Sequence, residues 1–148
     1  AIVCFEGTRI AIADGQTCPP GFRTGVAAGP RLLATGERRS FLAFDNSYAQ
    51  GLHPRTALGV TGDGRTAFIV VVDGRQRGYS VGASLDQLTT LFVQLGAVEA
   101  INLDGGGSST LVAAGEGGAP VILNRPIHTG VPGRERPVAN HLGLVTAR

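Results

Sequence analysis

The apolar positions of this chain fall mostly into short runs broken by glycine, proline and aspartate, and in only one place do they recur at helical spacing. Ala1–Phe5 and Arg9–Ala13 read as two short strands around Glu6-Gly7-Thr8, followed by turn signals at Asp14-Gly15 and Pro19-Pro20-Gly21. A third run, Phe22 to Ala28, ends at Gly29-Pro30, and Arg38 to Pro54 reads as an irregular surface loop anchored by Phe41 and Phe44. Thr56–Thr61 and Thr66–Val72 flank Gly62-Asp63-Gly64, a strong hairpin signal. Because Ala67-Phe-Ile-Val-Val-Val72 is apolar throughout, the expectation is a central strand covered on both faces. Tyr79 to Gly82 reads as a short extended piece.

The helical exception follows. Ser84 is a good N-cap, Gln87 completes a capping box, and Leu85, Leu88, Leu91, Phe92 and Leu95 form one apolar face. Gly96 stands where a helix-ending glycine belongs. Val98–Leu103 then reads as a buried strand, with further strands at Ser109–Val112, Val121–Leu123 and Leu142–Thr146. Strands, one crossover helix and more strands predict an α+β fold: a single domain over residues 1–148, with a mixed β-sheet and one main amphipathic helix packed on it.

Composition narrows the function classes. Aromatics make up only 5% of the chain against 23 glycines and 8 prolines, so the core must rest on Val, Leu, Ile and Ala. All 13 basic residues are arginine, which removes P-loop, Schiff-base and general-base lysines from consideration. A net charge of +2 with scattered arginines argues against a nucleic-acid partner, and no run is long enough to span a membrane. Cys4 and Cys18 have two readings: a disulfide, or two small buried thiols in a reducing compartment. The even count and a first residue other than Met favour the disulfide and a secreted or periplasmic protein.

The chemistry concentrates in Ala100-Ile-Asn-Leu-Asp-Gly-Gly-Gly-Ser-Ser-Thr-Leu111, where an apolar strand delivers an amide, a carboxylate, three glycines and three hydroxyls. Consecutive glycines let a ligand approach bare backbone, whose N–H groups can form an anion-binding concavity. A nucleophile elbow is excluded because Gly106-Gly-Ser-Ser-Thr110 ends in threonine, and a Walker loop because there is no lysine. A dinucleotide fingerprint would open a helix, whereas a strand is expected after this run. A calcium loop would need acids where Ala100 and Leu111 stand, and no cluster has metal-ligand spacing.

With Ala28-Gly-Pro-Arg-Leu32, Pro54-Arg-Thr-Ala-Leu-Gly59, Val72-Asp-Gly-Arg75, Asn124-Arg-Pro126 and Arg136-Pro-Val-Ala-Asn140 arranged around it in order, the sequence from about Ala28 to Val145 resembles the phosphodiester glycosidases. The resemblance implies cleavage of a sugar from the anomeric oxygen of a phosphodiester, the sugar being N-acetylglucosamine in the expected substrate, with no metal or organic cofactor. Asp104 is the first candidate for the carboxylate at the anomeric centre and Asp73 the second, with Arg55 as a catalytic phosphate-binding arginine. Asn102, Gly105, Gly106, Gly107, Ser108, Ser109, Arg136 and Asn140 are the candidate substrate-binding residues.

Each has a structural reading beside it: Asp73-Gly74 as a turn, Arg55 paired with a core-edge carboxylate, Ser108 and Ser109 bonded within the glycine turn, Arg136 and Asn140 ordering a last strand. The alternative function is a non-catalytic module binding glycan or phosphate in the same cradle. The family's Asn-Gly-Gly-Phe-Phe-like upstream strand is not found here. The expectation is therefore a processed or truncated piece, or a domain that has lost an edge, with a neighbouring chain in a homodimer as one way to replace it.

Overall fold

In the computed structural model, which describes residues 1–145, the short apolar runs at the front pair as their turns dictate. β1 (Ile2–Glu6) and β2 (Arg9–Ala13) form a hairpin, and β3 (Thr24–Ala27) joins the other side of β1, giving a three-stranded antiparallel sheet. A disulfide between Cys4 and Cys18 ties the β2–β3 connection to the middle strand. Glycine is needed at position 25 for that bridge to pass, since a Cβ there would lie 2.6 Å from the Cys18 sulfur.

The second sheet holds β4 (Arg31–Ala34), β5 (Glu37–Arg38), β6 (Arg55–Thr61), β7 (Ala67–Val72) and β8 (Ala97–Asn102) in the order β5-β4-β8-β6-β7. A short helix α1 (Asn46–Ala49) sits in the β5–β6 connection, and α2 (Leu85–Gln94) connects β7 to β8. Alternation along β6 separates the two faces of this sheet. Leu58 and Val60 pack with Ile101, Val3 and Ile12 against the three-stranded sheet. Ala57 packs on the opposite side with Leu85, Leu88 and Phe92 of α2. The result is three layers: sheet, sheet and helix. Gly59 belongs to the helix face, where a Cβ would lie 2.4 Å from the Phe92 ring.

The α+β class with one main amphipathic helix is as the sequence predicts. Both halves of the α2 capping box form: Gln87 N–H donates to Ser84 Oγ at 3.2 Å and Ser84 N–H to Gln87 Oε1 at 3.0 Å. Gly96 follows with φ +78°. The sheet differs from expectation in its ladders, every one of which is antiparallel. β7 and β8, joined through α2, run in the same direction, but β6 lies between them, so no parallel pair forms. The order also moves β7 from the centre to an edge, where its residues are only partly buried. The run that is covered on both faces is β8.

Two sequence expectations shift at the back of the chain. β9 (Val112–Ala114) and β10 (Pro120–Ile122) form a hairpin, and β11 (Ile127–His128) pairs with β12 (Val131–Pro132). Residues 142–145 form no strand, and Thr146 lies outside the described residues. No helix among the described residues is long and apolar enough to cross a membrane.

Candidate active site

The end of β8 and the start of β6 build one floor. Ala57 pairs with Asn102, Leu103 N–H donates to Thr56 O at 2.8 Å, and Gly106 N–H donates to Pro54 O at 2.9 Å. The glycine motif therefore crosses directly over the Pro54 backbone; a Cβ on Gly105 would lie 2.9 Å from Pro54 O. Gly106–Ser108 then close a 3-10 turn. This crossing, the loop around Gly29, the α1 segment and two arginines from elsewhere, Arg75 and Arg136, enclose an open cleft of about 530 Å³. That volume is in the range of small-molecule sites.

Asp104 is the only carboxylate among the lining residues, against three arginines: Arg55, Arg75 and Arg136. Its side chain is 71% exposed. One oxygen, Oδ2, accepts from Ser108 Oγ at 2.7 Å and from Arg136 Nη2 at 2.9 Å. Ser108 and Arg136 thereby fix the carboxylate's orientation without removing it from solvent.

Arg55 is the opposite case, a guanidinium only 2% exposed. Nε donates to Ala83 O at 3.0 Å, and Nη2 donates to Tyr48 O at 2.6 Å and Gly51 O at 3.2 Å, with the Tyr48 ring 5.0 Å away. Burial is the main effect drawing its pKa below the ordinary arginine value; the nearby Tyr48 opposes this and Arg75 reinforces it. Carbonyl dipoles engage three of its five donors, but among the described residues no carboxylate pairs with Arg55 or with Arg75. Two adjacent cations lacking an anion, one of them desolvated, is a costly arrangement that a bound anion relieves.

Against known proteins, the family model for phosphodiester glycosidase matches residues 2–145. The chain belongs to the phosphodiester glycosidase family. A relative in Bacillus subtilis (strain 168), the SPbeta prophage-derived uncharacterized protein YomE, is 42% identical over 64 residues, covering 43% of this chain and 10% of that protein. Among solved structures, a Burkholderia pseudomallei protein named "Putative exported protein" is 41% identical with TM-score 0.46, covering 53% of this chain and 14% of that one. A hypothetical protein from Synechocystis is 23% identical with TM-score 0.49, covering 74% and 28%. The chain thus spans 10% to 28% of the length of these relatives.

In this member of the phosphodiester glycosidase family, the residues singled out from sequence separate into two groups. Asp104, Arg55, Arg136, Asn102 and Gly105–Gly107 meet at the cleft. Asp73 does not line it: its carboxylate accepts from Asn124 Nδ2 at 2.9 Å, from Arg125 N–H at 3.0 and 3.1 Å, and from the Tyr79 hydroxyl at 3.1 Å. Asn124 in turn donates to Ser109 O and accepts from Leu111 N–H. The Asn124-Arg-Pro126 motif is therefore a framework knot holding the strand after the glycine turn. Ser109, 1% exposed, belongs to that framework and receives the Thr56 hydroxyl at 3.3 Å. Asn140 is exposed and does not line the cleft.

Several expected roles change in kind. The amide cradle is largely taken up internally, because Gly106 N–H bonds Pro54 O, Ser108 N–H bonds Gly105 O, and Ser109 N–H bonds Gly106 O. Arg55 keeps no bidentate edge for a phosphate, since Nε and both protons of Nη2 are engaged. Asn102 is a tether beneath the floor: Nδ2 lies 2.8–3.0 Å from Leu103 O, Gly29 O and the Tyr48 hydroxyl, and Oδ1 is buried without a partner. Sequence reading missed Arg75 and His53 as cleft residues. The signal available was position: Arg75 ends the motif Val72-Asp-Gly-Arg75, and His53 directly precedes Pro54-Arg-Thr-Ala-Leu-Gly59.

Proposed function

We propose that this protein hydrolyses a sugar-1-phosphodiester, releasing the sugar from its anomeric oxygen. The observation that carries the reading is the cleft's charge arrangement: two arginines without carboxylate partners among the described residues, beside a single, solvent-facing carboxylate. A phosphodiester supplies the missing anion and is itself a good leaving group, so charge stabilisation matters more than protonation of the leaving oxygen. In this reading Arg75 and Arg136 hold the phosphate, and buried Arg55 adds positive charge beneath it. Asp104 faces the anomeric carbon and stabilises the oxocarbenium-like transition state as the C1–O bond to phosphate breaks and water adds at C1. N-acetylglucosamine is the sugar proposed for that position. The disulfide supports placement outside the cytoplasm, where such bonds persist.

The test is a substrate pair: methyl N-acetylglucosamine-1-phosphate diester against the methyl glycoside lacking phosphate. Sugar release from the first alone is expected, with Asp104→Asn lowering the rate by about 10³-fold. Saturable binding of the diester without any product favours the binding-module alternative. Equal cleavage of both substrates overturns the phosphate-specific reading.

A further inference from the structure

Arg75 enters the cleft at a conformational cost. Its φ is +56°, in the left-handed region that disfavours residues bearing a Cβ, and it directly follows Gly74, the residue next to the Asp73 knot. Backbone strain of this kind persists where surrounding structure over-determines it and concentrates at functional sites. The guanidinium lies along Gly106, where a Cβ would stand 3.2 Å from Nη1, and its hydrogen bond to protein goes to His53.

Elementary donor rules settle the state of that histidine. An arginine only donates and a carbonyl only accepts. Nδ1 of His53 must therefore be the bare nitrogen that receives Arg75 Nη2 at 3.2 Å, and Nε2 must carry the proton donated to Ser47 O at 2.9 Å. The histidine backbone is held just as firmly. It exchanges two bonds with Ala83, at 3.0 and 3.3 Å. Gly74 and Gly82 press against it so closely that added Cβ atoms would lie 2.5 Å from Pro54 N and 2.4 Å from His53 O. So much constraint on a partly exposed ring is unexplained by core packing.

We propose that His53 is a positioning residue that aims Arg75 as an oxyanion-binding group, holding one Nη2 proton so that the guanidinium edge sharing the other presents a fixed fork to two oxygens of a phosphate. The inference rests on the reading that the cleft receives a phosphate, and it assigns which guanidinium makes the bidentate contact now that Arg55 has no free edge. A fork held in advance loses less freedom on binding than a mobile one.

Two isosteric substitutions separate positioning from simple structural support. His53→Asn places an oxygen near the Nδ1 position, keeping the acceptor for Arg75 and losing the donor to Ser47. His53→Gln places an amide nitrogen near the Nε2 position, keeping the Ser47 bond and losing the Arg75 acceptor. Thermal stability and the affinity for inorganic phosphate and for N-acetylglucosamine-1-phosphate are measured on both variants, along with KM and kcat on the methyl diester. The expected orders cross. The Gln variant is the more stable, yet binds both phosphates about 10-fold more weakly than wild type, with the loss in KM. The Asn variant is the less stable and binds within about 3-fold of wild type.

Affinity that follows stability, or variants that bind alike, overturns the proposal while leaving the hydrolytic reading intact. Phosphate binding with crossed orders but no turnover leaves the positioning role standing and removes the hydrolase. Binding of neither phosphate by the wild-type protein overturns both.

Discussion

β7 and β8 end alike in sequence: each is an apolar strand followed by aspartate and glycine, Asp73-Gly74 in one and Asp104-Gly105 in the other. In space they are opposites. Asp104 stands open at the cleft with partners on one oxygen, Ser108 and Arg136. Asp73 is enclosed by donors from Tyr79, Asn124 and Arg125, so that both oxygens are engaged. The arginines are distributed the other way. Arg75, two residues after the enclosed aspartate, reaches into the cleft, whereas Arg125 stays over the Tyr79 ring at 5.3 Å. A strand-end carboxylate is thus left open or enclosed by what distant segments bring to it. The strand-end motif alone does not decide.

The widest separation is expected from removing each charge in turn. Asp104→Asn lowers turnover by about 10³-fold with melting temperature almost unchanged, because the side chain is largely solvated and contributes little packing. Asp73→Asn does the reverse: it costs about 1–2 kcal/mol of stability through the bonds to Arg125 and Asn124, while kcat per folded molecule is retained. Denaturation curves and rates normalised to folded protein distinguish the two. If Asp73→Asn abolishes turnover in fully folded protein, the division between the two strand ends is wrong.

Arg75 sharpens the comparison at the next scale. Arg75→Gly relieves a left-handed residue and removes one cation from beside Arg55, so stability is expected to stay level or rise by up to about 1 kcal/mol. The same change raises KM for a phosphodiester by about 10-fold. A gain in stability accompanied by a loss in affinity is what functional strain predicts. A variant that loses stability and keeps its affinity places Arg75 in the framework instead.

These contrasts explain what was legible in the sequence. α2 is legible from cap to cap because its signals are local: Ser84, Gln87, the apolar spacing and Gly96 all lie within one stretch of chain. The β6–β7 hairpin was legible for the same reason. The edge position of β7 was not, since its burial depends on sheet order, and β6 rather than an added strand separates it from β8. Asp104 lines the cleft, and the glycine run following it announces the close backbone approach there. Asp73 ranks second to it in the sequence, and its enclosure is not legible there because its partner Asn124 is 51 residues away. For Arg75 the sequence offers only its place at the end of Val72-Asp-Gly-Arg75, since a positive φ on arginine leaves no mark of its own.

The smallest expected effect is also a direct readout of the enclosed end. Tyr79 donates its hydroxyl to Asp73, and that bond, reinforced by the carboxylate's charge, raises its pKa above the ordinary phenol value while Arg125 pulls weakly the other way. A raised folded-state pKa means the protonated form is favoured in the native protein. The contribution is fully present below about pH 10 and is lost as the pH rises through the value of the folded protein. The chain has only two tyrosines and no tryptophan, so phenolate absorbance resolves few groups. Asp73→Asn should move one of the two titrations down towards the ordinary value, and Tyr79→Phe should remove that same titration. Asp104→Asn should move neither, because its charge sits in the cleft, outside the knot around Asp73. If Asp104→Asn shifts the Tyr79 titration as far as Asp73→Asn does, the two carboxylates share one electrostatic site and the separation drawn between the strand ends fails.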